Sequence, residues 1–203
     1  MKTLDRAKSR LLGAADNGHG DRAAHQALAL ALVRDTAAAA AATSTVRRVL
    51  VVTADPTVAE VLAADGIETW PDEPDLGLNG AYRLGAAELL RRDPGATVGA
   101  LQADLPALRP DELAAATQQA GGRRAFCADR QGTGTTLLLA VPGGPLDPRF
   151  GVGSAAAHVE SDAIRIGAEL ASLRCDVDTA EDLALAAMLG LGRHCAALSR
   201  TPC

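Results

Sequence analysis

A chain of 203 residues is long enough for one medium-sized core, and 48% hydrophobic with 22% charged residues is an ordinary globular balance. The formal net charge of −5 argues against nucleic acid as a main partner, while leaving room for a small anionic substrate in a local cationic pocket. Aromatic residues are only 2%, so the core must be built from Ala, Leu and Val, and no run of about 18 strongly apolar residues suggests a membrane-spanning helix.

From residue 21 onward strands and helices alternate. DRAAHQALALALVRDTAAAA reads as a long helix with Asp21 near its start, and the overlapping Ala-rich run DTAAAAAATS reads as a helix end fraying into a loop. RRVLVVT, ending at Thr53, is a short buried strand. In ADPTVAEVLAADG, Asp55 can cap a helix, Pro56 suits its first position and Gly66 closes it. IETW is a strand, PDEPDLGLNG a loop, and AYRLGAAELLRRDPG a helix stopping at Asp93-Pro94. ATVGALQ is the next strand, followed by the helix RPDELAAATQQAGG, with Pro110 and two acids in its first turn. RAFCA and TTLLLAV read as strands joined by DRQGTG. RFGVGSAAAHVES is a Gly-rich turn entering a helix, ASLRCDVDT a short strand, and AEDLALAAMLG the last helix, capped by Asp178 or Thr179.

This alternation predicts an α/β protein with three α/β/α layers around a mostly parallel sheet, in one domain spanning residues 1–203. A nucleotide-binding domain of that class usually opens with a strand. MKTLDRAKSR begins where such a strand should already have ended, so either the start lacks it or the sheet does without it. No apolar h-region follows, so no signal peptide is expected. Cys127, Cys175, Cys195 and Cys203 form no C-x-x-C pair, which fits a reducing, cytoplasmic setting better than a zinc site or a disulfide framework.

Three carboxylates follow short apolar runs: Asp104, Asp176 and Asp178. In an open α/β sheet the carboxyl ends of the strands are where ligands bind. Asp104 is either a solvated turn acid or a metal ligand, and Asp178 either a helix cap or a ligand. GTGT, residues 132–135, and FGVGS, residues 150–154, offer backbone N–H groups to an anion or are ordinary turns. Lys8 and Arg10 lie close together, on a solvated basic face or against a phosphate. No P-loop and no nucleophile–histidine pairing occurs, and His19, His25, His158 and His194 read as surface or packing residues.

Taken in order, K-x-L-x-x-A-K-S-R-L (Lys2 to Leu11), DEP…GLN (Asp72 to Asn79), ADLPAL (Ala103 to Leu108), ADRQGTGT (Ala128 to Thr135), RFGVGS (Arg149 to Ser154) and CDVDT-AEDL (Cys175 to Leu183) resemble the 2-phospho-L-lactate and phosphoenolpyruvate guanylyltransferases. These belong to the GT-A-like nucleotidyltransferases, and the likeness spans nearly the whole chain. It departs at the front, where the family's first strand, ahead of Lys2, is missing. The resemblance implies transfer of a guanylyl group from GTP to a phosphorylated three-carbon acid, with release of diphosphate, for biosynthesis of coenzyme F(420). It implies that Asp104, Asp176 and Asp178 hold Mg²⁺, with Lys8 and Asp104 as catalytic residues. It sets Thr135, Gly151 and Ser154 on the acceptor, Lys8 and Arg10 on the nucleotide, and Asn79 near the guanine or ribose. Phosphoenolpyruvate is expected over 2-phospho-L-lactate, on general likeness to the Ala/Arg-rich branch, and a homodimer is compatible. Two rivals are a molybdopterin-type or sugar-phosphate nucleotidyltransferase and a catalytically silent nucleotide-binding protein.

Overall fold

Asp21 accepts the main-chain N–H of Ala23 and so caps α1 (Arg22–Ala41), the first element of a computed structural model that describes residues 21–199. The alanine run stays helical as far as Ala41. β1 (Leu50–Thr53) follows, and then α2 (Pro56–Ala64), where Asp55 accepts from the N–H groups of Thr57 and Val58 and Pro56 sits in the first turn. β2 (Glu68–Pro71) pairs in parallel with β1.

α3 runs from Gly77 to Arg92, so GLNG, read as loop, is its first turn. Two glycines make that turn a poor helix former. It is held from outside, because Asn79 bonds to the main chain of Phe150. At Gly85 an added Cβ would stand 2.8 Å from Val52, so the missing side chain lets α3 lie close on β1. β3 (Gly99–Leu101) and α4 (Pro110–Ala120) come next, then β4 (Ala125–Ala128) and β5 (Thr135–Leu139). Residues 129–134 join β4 and β5 as a hairpin, which requires antiparallel pairing. α5 (Ser154–Val159), β6 (Ile164–Ile166), α6 (Ala180–Leu189) and α7 (Arg193–Ser199) complete the described chain.

The strands form a two-stranded sheet, β1-β2, and a four-stranded sheet ordered β3-β5-β4-β6. β5 runs antiparallel to both neighbours, while β4 and β6 are parallel. The three-layer α/β/α expectation holds, but the sheets are mixed rather than mostly parallel, because the β4–β5 hairpin and the β3–β5 pair are antiparallel. On one face of the four-stranded sheet Ala125, Cys127, Leu137 and Leu139 pack with Leu113 and Ala116 of α4. On the other, Phe126, Ala128 and Leu138 pack with Ala86 of α3 and Ala155 of α5. α1 packs α2 through Val33 and Val58, and α6 and α7 through Leu28 and Leu32. No described helix is long and apolar enough to cross a membrane.

ASLRCDVDT departs from expectation. Leu173, Cys175 and Val177 are buried in alternation, as in a strand, yet the segment joins no ladder. The edge beside β4 is taken by IRI, residues 164–166. Only three residues long, that strand is too short to stand out as a period-2 pattern.

Candidate active site

β3 ends at Leu101, and the chain turns through Gln102 to Asp104. The N–H of Val177 donates to the carbonyl oxygen of Asp104 at 3.0 Å, pinning the 175–178 segment against that turn. Asp104, Asp176 and Asp178 consequently line one cleft of about 1190 Å³, whose walls include Val52 of β1 and Leu101 of β3. The cleft runs along the length of β1 and β3, and Asp104 lies just past the carboxyl end of β3, the end where this class of fold binds ligands. Thr179, not Asp178, caps α6, in a capping box with Asp182.

The carboxylates feel one another. Burial first, and then the charges of Asp104, Asp178 and Asp129, push the Asp176 carboxyl up to about 7. A cation beside it would relieve that repulsion. Among the described residues no three or more His, Cys, Asp or Glu side chains form a ready-made metal cage. The donor set is that of a hard cation held by one or two carboxylates and completed by substrate phosphates and water, as Mg²⁺ prefers.

The two Gly-rich loops expected to take the acceptor are not among the residues that line this cleft. The N–H groups of Thr133 and Gly134 do not face outward to an anion. They donate to Asp129, at 2.9 Å to Oδ1 and 2.8 Å to Oδ2, and the N–H of Gly132 goes to the Asp129 carbonyl. Of the two readings of GTGT, the hydrogen bonds favour the ordinary turn, with the protein's own carboxylate on its N–H groups. The Thr135 hydroxyl is buried and bonded within the protein. Ser154 Oγ donates to Thr135 Oγ1 at 3.1 Å, so two of the expected acceptor residues are in direct contact. Gly151, at φ 138°, lies on the loop that carries Ser154. Among the described residues no hydrogen bond uses the N–H groups of residues 151–153.

Asn79 meets Phe150. Its Nδ2 donates to the Phe150 carbonyl at 3.0 Å, and its Oδ1 accepts the Phe150 N–H at 2.8 Å. Lys8 and Arg10 lie outside the described residues.

The MobA-like NTP transferase domain family matches residues 17–176. A phosphoenolpyruvate guanylyltransferase of Salinispora arenicola is 50% identical over 204 residues, covering 99% of this chain and 91% of the relative. One of Thermomonospora curvata is 49% identical, covering 98% and 86%. The chain belongs to the phosphoenolpyruvate guanylyltransferase family. A solved CMP:2-keto-3-deoxy-manno-octonic acid synthetase complexed with CTP superposes with a TM-score of 0.52 at 13% identity, covering 78% of this chain and 87% of that one, which establishes the nucleotidyltransferase fold.

Three residues of this guanylyltransferase-family chain escaped the sequence reading. Tyr82 donates to the Leu101 carbonyl at 3.2 Å and stacks on Phe150 with ring centroids 4.7 Å apart. It therefore touches both the turn that carries Asp104 and the loop that carries Gly151. Asp129 shapes the turn before Thr135. His158 is fully buried, with Thr135 Oγ1 at 2.9 Å from Nδ1 and the Arg149 N–H donating to Nε2 at 3.1 Å. The Asn79–Tyr82 spacing of three on one helix face was the available signal for Tyr82. Nothing local marks His158.

Proposed function

We propose that this chain joins GTP to phosphoenolpyruvate, releasing diphosphate and giving enolpyruvyl-diphospho-5'-guanosine for coenzyme F(420) biosynthesis. The observation that carries the reading is the convergence of Asp104, Asp176 and Asp178 on one cleft. Tyr82 ties that cleft to the loop of Gly151 and Ser154. The names of the full-length relatives favour phosphoenolpyruvate over 2-phospho-L-lactate.

In the proposed reaction a phosphate oxygen of phosphoenolpyruvate attacks the α-phosphorus of GTP in line. One P–O bond forms, the bond to the bridging oxygen breaks, and diphosphate leaves. The attacking oxygen is already anionic, so no general base is required. The protein's task is positioning and charge neutralisation. Asp104 and Asp176, with Asp178, would hold Mg²⁺, which neutralises phosphate charge when bound. Thr135, Gly151 and Ser154 bind the acceptor's carboxylate and phosphate. Lys8, the second catalytic residue, and Arg10 bind the triphosphate. Asn79, expected on the guanine or ribose side, acts through Phe150. The free thiols of Cys127, Cys175 and Cys195 suit a reducing compartment, and the cytoplasm is the proposed location.

The test is diphosphate release with GTP, Mg²⁺ and phosphoenolpyruvate. Asp104→Ala should lower turnover by about a thousandfold, the scale of losing an electrostatic stabiliser of the transition state. GTP binding without diphosphate release would favour a silent binding protein. Competing phosphoenolpyruvate with 2-phospho-L-lactate at equal concentration decides the acceptor.

A further inference from the structure

The imidazole of His158 sits between the two Gly-rich loops with both ring nitrogens engaged. The Arg149 N–H can only donate, so Nε2 must accept. Burial, with Arg124 and Arg149 nearby, pushes the His158 pKa down to about 4, so the ring is neutral at pH 7 and its one proton lies on Nδ1. The Phe150 ring, in an edge-to-face arrangement with centroids 5.3 Å apart, and the tilted Phe126 ring, with centroids 5.6 Å apart, pack against the imidazole.

The tautomer sets the direction of every hydrogen bond beyond it. With the proton on Nδ1, His158 donates to Thr135 Oγ1. Thr135 and Ser154 then have two hydroxyl hydrogens between them, and their mutual bond consumes one. Among the described residues no acceptor takes the other. With the proton on Nε2, Thr135 would have to donate to His158 and Ser154 to Thr135, and no hydrogen would remain. We propose that His158 is a positioning residue: locked by the Arg149 N–H as the Nδ1–H tautomer, it saturates Thr135 so that the Thr135–Ser154 pair keeps one O–H for an anionic group of the acceptor. The identity of that acceptor rests on the function proposed above; the hydrogen-bond direction does not.

The first experiment needs no turnover. Long-range ¹H–¹⁵N correlation on the whole protein at neutral pH should show His158 neutral with Nδ1 protonated; protonation on Nε2 overturns the proposal. The second uses two partial mimics. Asn at 158 keeps a donor near the Nδ1 position, whereas Gln keeps an acceptor near Nε2 and loses the donor. His158→Gln should raise the phosphoenolpyruvate KM about tenfold with the GTP KM unchanged, and His158→Asn less than about threefold. Adding His158→Gln to Thr135→Val should change the KM little further, since both remove the same unit. Equal loss toward both substrates, or additive effects, would make His158 merely structural and overturn the proposal. If the wild-type chain releases no diphosphate, the function reading fails, and the tautomer alone decides the hydrogen-bond direction.

Discussion

Asn79 grips the main chain of Phe150 from both sides, donating to its carbonyl at 3.0 Å and accepting its N–H at 2.8 Å. The carboxamide thus fixes the loop that presents Gly151 and Ser154 against the start of α3. Asn79→Ala removes two neutral hydrogen bonds, a loss of about 2 kcal/mol, which lowers Tm by about 4–8 °C in a protein of this size. The phosphoenolpyruvate KM should rise while the GTP KM stays put. Asn79→Asp should behave no better, because a carboxylate would face the Phe150 carbonyl. A rise confined to the GTP KM would return Asn79 to the nucleotide side. Thermal melts and steady-state kinetics on both variants check this.

His158 makes stability depend on acid. Its pKa is about 4 in the fold against 6.5 for the free side chain, lowered by burial and by Arg124 and Arg149 and opposed by Asp147. Between those values the unfolded chain binds the extra proton and the native chain does not. Stability from this group is full above pH 6.5, falls as pH drops through the window, and is gone near pH 4. The total is about 3 kcal/mol at 1.36 kcal/mol per unit. Denaturant unfolding at several pH values should show this slope, and His158→Gln should flatten it. An unchanged slope in the variant would show that other groups carry it.

Asp129 fills the turn that precedes Thr135 with its own negative charge, in place of a ligand's. Asp129→Asn leaves one oxygen for two N–H groups and turns an NH₂ toward the other, which should cost about 1–3 kcal/mol. Gly134→Ala puts a Cβ against the Asp129 carboxylate and should break the same turn. Both variants should weaken phosphoenolpyruvate binding before GTP binding, as titration of each substrate would show. Gly134→Ala behaving as wild type would mean that the turn has room to relax.

Much of this was legible because local chemistry matched the fold. Asp55-Pro56 and Asp21 start helices as their side chains dictate, and DRQGTG gives a hairpin between two apolar runs. Asp104 and Asp176 could be picked out as carboxylates following apolar runs. What could not be read was which partner each polar group would choose. GTGT looks the same whether its N–H groups face a substrate or Asp129. GLNG looks like a loop until Phe150 supplies the bonds that make it a helical turn. His158 lies in HVES, and its partners Thr135 and Arg149 come together only when α5 packs on the β4–β5 hairpin.

Tyr82 offers the sharpest separation between the two halves of the site. Its hydroxyl donates to the Leu101 carbonyl at 3.2 Å, three residues before Asp104, and its ring stacks on Phe150. Burial and the charge of Asp104 push the phenol pKa up, so the hydroxyl remains a donor across the working range of pH. Tyr82→Phe keeps the ring and loses the donor. The loss should be about 1 kcal/mol, or about 2–4 °C in Tm, since one neutral hydrogen bond disappears. Because the freed carbonyl belongs to the turn that aims Asp104, kcat should fall while the phosphoenolpyruvate KM stays near wild type. Tyr82→Leu also removes the stack on Phe150, worth about 0.5–1.5 kcal/mol beyond burial, and should raise the phosphoenolpyruvate KM as well. If Tyr82→Phe instead raised only the acceptor KM, the hydroxyl would serve the acceptor loop, and the Asp104 turn would be held by its other bonds, among them those with Val177, Thr36 and Thr136.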